Sequence, residues 1–344
     1  MLAGQSPVAL VIRRVDDWAR RWQNGAVRVL ILSNPSYMPS TKYRILALLP
    51  LFRRDGIEVE HVDIPEGLLD RWRLLGRVAD FDVVLLQKRL LPTWQYTPLR
   101  KKARALVYDY DDPIVLTRTE SRIAVCRTRR RRFRAVASTA DAVVCHVGAE
   151  SFAHEYGARN VHTISTSVDL GHWAPKTSWT SGGLTLGWLG TASNIGNLRD
   201  IAPALAGCKL RIVAEQTLDL PGVDVEFVKW DPDTEAAHVR SFDVAVALLP
   251  DDLWSRSKMP LKILHYFASA VPVVATSIGG VPTVIKDGEN GFLAGDWKEK
   301  IGRLRDPALR ERIGRAGRAT VEAGYTIETA YAKLKGVLES VARR

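Results

Sequence analysis

Twice along this chain, short runs of apolar and β-branched residues alternate with helical stretches, and that alternation narrows the possible folds more than any other feature. The first series runs through Val27–Leu32, Val59–Val62, Val83–Gln87, Ala105–Tyr108, Ala142–His146 and His162–Ser165. The second runs through Leu184–Leu189, Lys209–Val213, Val225–Val228, Val244–Leu248 and Pro272–Ala275. Strands that are apolar on both faces need helices over both, as in a parallel α/β sheet. Between the first two strands the pattern predicts a helix over Thr41–Asp55. Leu170–Gly183, rich in Gly, Pro, Ser and Thr, separates the two series and reads as a linker. Two doubly wound parallel sheets follow, in domains 25–172 and 173–325 that face a cleft where ligands of such folds collect.

Each half of the 344 residues is long enough for a core of its own. No uninterrupted apolar run approaches the ~18 residues that span a bilayer, and the first residues do not read as a secretory leader. Cys126, Cys145 and Cys208 are odd in number and far apart, which fits buried thiols in a reducing compartment better than disulfides or a metal site. The net charge of +11 is concentrated, with +9 in residues 1–172 and +2 in the rest. Its densest cluster is Arg127, Arg129, Arg130, Arg131, Arg132 and Arg134, on a helix predicted to end near Ser138. Such a cluster attracts anionic head groups or polyphosphate, and it is equally a solvated helix face. We expect no nucleic-acid partner. In residues 1–24, Val8, Val11, Ile12, Val15, Trp18 and Trp22 form a helical stripe opposite Arg13, Arg14, Arg20 and Arg21. That helix either lies in a membrane interface or packs on its own domain.

The richest segment is Trp254–Gly295. Ser255, Arg256, Ser257 and Lys258 precede a helix predicted over Met259–Ser269, whose free N–H groups and dipole favour an anion, so a diphosphate would fit there. Val273–Ala275 reads as a buried strand, and Gly279 and Gly280 allow a turn and a close ligand approach. Earlier, Gly187–Ser193 places a glycine turn after the first strand of the second series, where backbone N–H groups at Gly190 and the Thr191 hydroxyl could hold a phosphate. In the first half, Asp109, Asp111 and Asp112 follow an apolar strand and read as metal ligands, as acceptor-orienting carboxylates or as loop braces. The loop Asn34–Arg44 ends in Lys42, Tyr43 and Arg44, suited either to an anionic ligand or to solvent.

With His265, Tyr266, Phe267, Ala268, Pro272, Val273, Val274, Ala275, Thr276, Gly279, Gly280, Asp287, Gly288, Asn290 and Gly291 in matching places, the segment resembles the donor signature of the group 1, or family 4, glycosyltransferases of the GT-B fold. Ser167, Val168, Asp169, Trp173 and Pro175 resemble the run that precedes the family's second domain. The family commonly spaces two glutamates eight positions apart where this chain has Ser257 and His265, and Thr283 stands where another Glu is frequent. The spacing of Lys258, Leu261, Lys262, Leu264 and Tyr266 is similar to a bacterial sub-branch without those glutamates.

The resemblance implies a GT-B enzyme whose last helix, about Ile327–Val341, crosses back onto the first domain. It implies a retaining, metal-independent transfer of sugar from a nucleotide diphosphate sugar to an acceptor hydroxyl, with no other cofactor. Arg256, Lys258 and Lys262 would stabilise the diphosphate, His265 would lie near the ribose, and Lys229 and Trp230 near the base. Asp111 and Asp112, with Lys258, would be catalytic, and Tyr43, Arg44 and Asp109 would face the acceptor, a glycan or lipid-linked saccharide met at the cytoplasmic face of the membrane. A non-catalytic GT-B partner subunit, or another GT-B enzyme such as a nucleotide sugar epimerase, is the alternative.

Overall fold

The computed structural model of the chain describes residues 27–119, 123–259 and 261–343, so the helix expected within residues 1–24 lies outside the described residues. The chain forms two compact units, residues 1–166 with 327–344, and residues 167–326.

The first unit contains β1 (Arg28–Ser33), β2 (Glu58–Asp63), β3 (Val83–Gln87) and β4 (Leu106–Asp109), an antiparallel hairpin of β5 (Leu116–Arg118) and β6 (Ile123–Val125), then β7 (Ala142–Cys145) and β8 (Val161–Thr163). All but the hairpin strands pair in one parallel sheet of order β2-β1-β3-β4-β7-β8. The central strands β3, β4 and β7 are buried throughout because side chains cover both faces. On one face Val29, Ile31, Leu85 and Val107 pack with Ile45, Phe52 and the last helix, Ile327–Ala342, through Tyr331, Leu334 and Leu338. Tyr331 Oη and Lys335 Nζ both donate to Asp55 Oδ2 at 2.8 Å.

The single helix expected over Thr41–Asp55 is broken into Pro39–Arg44, a 3-10 turn at Leu46–Leu48, and Leu49–Arg54. Pro50 has no N–H to offer the carbonyl four residues back, so a continuous ladder cannot pass it.

The second unit contains β9 (Thr185–Leu189), β10 (Lys209–Ala214), β11 (Asp224–Lys229), β12 (Val244–Ala247), β13 (Val273–Thr276) and β14 (Phe292–Ala294), all parallel, in the order β11-β10-β9-β12-β13-β14. The chain builds outward from β9 to β11, then returns to the other side of β9 for β12. The carboxyl ends of β9 and β12 therefore flank the switch point at which sheets of this kind bind ligands. The stretch 170–183, expected as a linker, instead packs onto this unit. Trp173 and Trp179 are buried, Trp179 Nε1 donates to Ala270 O at 3.0 Å, and Lys176 Nζ donates to Phe242 O at 2.7 Å. Two tryptophans bury enough apolar surface to outweigh the loop-forming residues around them.

Candidate functional site

At the carboxyl end of β9 the chain turns at Gly190 and Thr191 into the short helix Ala192–Ile195. Leu189 N–H donates to Tyr266 Oη at 2.8 Å, which fixes the strand end against the helix Leu261–Ala268. From the first turn of that helix Lys262 Nζ reaches to 4.3 Å from the centroid of the Trp188 ring. A Cβ on Gly190 would stand 2.9 Å from this ammonium and 2.5 Å from the indole, so the turn needs glycine in order to seat the cation. Lys262 is partly buried, and among the described residues no carboxylate is paired with it. Burial, with the charge of Lys258 adding to it, pulls its pKa from the ordinary 10.5 down to about 7. Lys262 thus stands at the switch point with no carboxylate of its own among the described residues.

The loop ahead of the helix makes a 3-10 turn at Ser255–Ser257, after which Lys258 is extended. Asp252 Oδ1 accepts Ser255 N–H at 2.7 Å, and Gly280 N–H donates to Lys258 O at 3.0 Å. Gly279 has a φ of +61°, and a Cβ there would collide with the carbonyl oxygens of Ser255 and Lys258. The two glycines thus clamp the loop that carries Lys258, backbone filling the space at Gly279 and the Met259 side chain that at Gly280. Arg256 is exposed and bound to Asp251 through Nε at 2.7 Å and Nη2 at 3.1 Å; Ser257 beside it is also exposed.

His265 is only 5% exposed and stacks on Trp173, with centroids 4.0 Å apart and planes 15° apart. This geometry packs the imidazole face to face with the indole of Trp173. Thr191 is exposed, its hydroxyl engaged with Ser193 Oγ at 3.0 Å and Asn194 Nδ2 at 3.1 Å. At the end of β11, Lys229 and Trp230 are exposed, and Trp230 Nε1 donates to Glu235 at 2.6 Å. Asp287–Gly291 is a turn held from within, where Asn290 Oδ1 accepts Lys286 N–H and Asp287 Oδ1 accepts Leu293 N–H, both at 2.8 Å.

In the first unit the carboxyl ends of β3 and β4 gather another polar cluster. Asp109 is buried and held by Arg44, whose Nε donates to Oδ2 at 2.9 Å while Nη2 meets Oδ1. Arg44, also buried, donates from Nη1 to Ile164 O at 2.9 Å. Burial opposes its charge, but the Asp109 carboxylate outweighs burial and the pKa ends above the ordinary value. Arg44 and Asp109 therefore brace the helix Pro39–Arg44 against β4 and the end of β8, and Tyr43 lies half-buried beside them under Lys42 Nζ, 5.5 Å from its ring centroid.

Asp111 and Asp112 close on Lys88, with Nζ–carboxylate distances of 2.9 and 2.5 Å. Lys88 follows β3 in a left-handed conformation, φ +57°, and its N–H donates to Asp109 O at 2.6 Å. Burial raises the pKa of Asp111 against the pull of Lys88, and the two carboxylates outweigh burial to raise that of Lys88. Asp109 thus holds the Arg44 guanidinium while Asp111 and Asp112 hold the Lys88 ammonium, and among the described residues no group of three or more His, Cys, Asp or Glu is placed to hold a metal. Lys88 and Trp188 escaped the reading of the sequence. A lysine directly after a buried parallel strand, at the sheet end where ligands collect, was an available signal for the first. Trp188 inside an apolar run is indistinguishable from core.

Residues 188–305 match the family model described as glycosyl transferases group 1. The capsular polysaccharide biosynthesis glycosyltransferase CapM of Staphylococcus aureus is 37% identical over 76 residues, 20% of each chain. Matches to curated relatives span a quarter or less of those relatives' length. HepE from Anabaena, solved in complex with UDP, is 16% identical with a TM-score of 0.68, covering 91% of this chain and 100% of that one. Sucrose-phosphate synthase from Thermosynechococcus elongatus is 16% identical with a TM-score of 0.70, covering 91% and 98%. The fold is GT-B, with two Rossmann-like parallel sheets as expected. The resemblance to group 1 glycosyltransferases holds over residues 188–305, the range that contains Gly190, Lys258, Lys262 and Gly279.

Proposed function

We propose that the protein is a retaining glycosyltransferase that moves a sugar from a nucleoside diphosphate sugar to an acceptor hydroxyl. The observation that carries this reading is Lys262, a desolvated cation seated over Trp188 beside the Gly190 turn, inside the segment that matches the family. The diphosphate would lie over Gly190 and Thr191, between Lys262 and Lys258, at the start of the helix Leu261–Ala268, whose dipole favours negative charge. Arg256 would join it by exchanging Asp251 for phosphate, and the exposed Lys229 and Trp230 would meet the base. As the bond from the anomeric carbon to the phosphate breaks, the acceptor oxygen bonds to that carbon from the same face. The acceptor's proton passes to the departing phosphate oxygen. Lys262 and Lys258 hold the charge that develops there, so the transfer needs neither a metal ion nor another cofactor.

On the acceptor side, Asp111 and Asp112 with Lys88 offer a carboxylate and ammonium set to saccharide hydroxyls, and Tyr43 stands on the helix braced by Arg44 and Asp109. The acceptor would be a glycan or lipid-linked saccharide in bacterial cell-surface synthesis, met by a peripheral protein at the cytoplasmic membrane face and without nucleic acid. HepE, solved with UDP and with UDP-glucose, makes uridine nucleotides the first probes.

Calorimetric titration with UDP, GDP and ADP tests the donor site. Lys262→Ala should weaken the best of them by about ten- to a hundredfold, the ~1.5–3 kcal/mol of a hydrogen bond to a charged group. An unchanged affinity overturns the assignment. Nucleotide binding with no sugar transfer to any soluble or lipid-linked acceptor would favour the partner-subunit reading. Activity lost to a chelator and restored by Mn²⁺ would remove the metal-independent mechanism.

A further inference from the structure

Three neighbouring helices of the first unit, Leu68–Arg77, Thr93–Lys102 and Arg127–Thr139, begin at the same edge of its sheet. The first two follow the carboxyl ends of β2 and β3, and the third follows β4 through the hairpin, so their first turns share the edge on which Lys88, Asp111 and Asp112 stand. The Trp72 and Trp94 rings meet at 5.9 Å across the first two helices, and Tyr96 Oη and Thr139 Oγ1, 2.6 Å apart, join the second to the third. Exposure on these first turns is unusual. Leu68 is 57%, Leu69 74%, Trp72 45% and Trp94 50% exposed, and Arg127, Arg129, Arg130 and Arg131 are exposed beside them. None of these four arginines makes an ion pair with a carboxylate among the described residues.

Two leucines and a tryptophan pair grouped in water mark an interaction surface, since each Å² of apolar area left exposed forgoes about 25 cal/mol. Charge selects the occupant. Arg127, Arg129, Arg130 and Arg131 outnumber Asp70, which is paired with Arg73, on these first turns, so a second copy of this face would be repelled, whereas anionic head groups are attracted. Tryptophan settles at the boundary between head groups and acyl chains, and leucine just below it.

We propose that this face docks on an anionic bilayer, with Leu68, Leu69, Trp72 and Trp94 entering the boundary and the arginines resting on lipid phosphates. A lipid-linked acceptor would then present its saccharide at the sheet edge that carries Lys88, Asp111 and Asp112. That consequence rests on the proposed transferase reading; the membrane contact itself does not.

Flotation of the full chain with vesicles of phosphatidylcholine, alone or mixed with phosphatidylglycerol, tests the contact. The protein should float with the mixed vesicles only, and lipids brominated along the acyl chain should quench its fluorescence. Trp72→Ala/Trp94→Ala should still unfold in one cooperative transition, lose the quenched component, and bind the mixed vesicles about tenfold more weakly or worse. Its UDP affinity without lipid should match the wild type, so a failed donor site and a failed membrane face give different results. Equal flotation of the variant, a concentration-dependent dimer abolished by the double substitution, or retention on a glycan matrix in place of vesicles would each overturn the proposal.

Discussion

Lys262 shows how much of a residue's chemistry depends on what surrounds it. Its folded pKa of about 7 lies below the ordinary 10.5, so between those values the unfolded chain holds a proton at this position that the folded chain does not. Stability of the unliganded protein should therefore rise with pH across that window relative to Lys262→Gln, measured by melting at each pH. A bound diphosphate favours the charged ammonium. UDP affinity should weaken as pH rises above 7, by up to about tenfold per unit, and Lys262→Ala should flatten that profile. A second residue is out of place conformationally. Ala270, just past the helix Leu261–Ala268, has a φ of +53° where glycine is the easy occupant. Ala270→Gly should stabilise the protein by about 1 kcal/mol in urea titration, because the Cβ penalty of the left-handed region disappears. The lysine before the helix and the glycines after the strand were legible as types at a spacing. His265 was not, because periodicity gives a helix its faces but does not show that Trp173 covers one of them.

Among the elements, the loop–helix–strand–turn from Trp254 to Gly280 forms in the order that the pattern predicts, with the helix at Leu261–Ala268 and the strand at Val273–Thr276. What spacing could not show is that Gly279 serves the loop: its missing side chain makes room for the carbonyls of Ser255 and Lys258. Gly279→Ala should lower the melting temperature and weaken UDP binding by about tenfold, equivalent to ~1.4 kcal/mol, since Lys258 must move with the loop. Unchanged binding would show that Lys258 is seated independently of this turn. The broken helix 39–54 was also within reach of the sequence, because Pro50 is written there. The packing of 170–183 was less so: its composition describes a loop, and only the hydrogen bonds of Trp179 and Lys176 show what it lies against.

For the whole molecule, the last helix, Ile327–Ala342, is far in sequence from the unit whose core it completes. Deleting residues 327–344 should expose Phe52, Ile45 and Leu85 and move the unfolding of residues 27–166 to lower urea. The second unit, whose core clusters contain only its own residues, should keep its transition, and domain-resolved hydrogen exchange would separate the two. Asp55, whose carboxylate is held below the ordinary range by Lys335 and Tyr331, contributes to that anchorage above its unfolded pKa. The contribution should fade as pH falls through the acid range. By itself the sequence determined the two parallel sheets and the order of loop, helix, strand and turn in the segment proposed to bind the donor, because strand and helix periods and glycine spacing are local properties of the chain. Only the tertiary structure decided which cations are committed to a carboxylate: Arg44 to Asp109, Lys88 to Asp111 and Asp112, and Lys262 to none among the described residues. Those pairings join residues from separate strands and helices, and both their distances and their desolvation exist only once the sheets have brought the strand ends together.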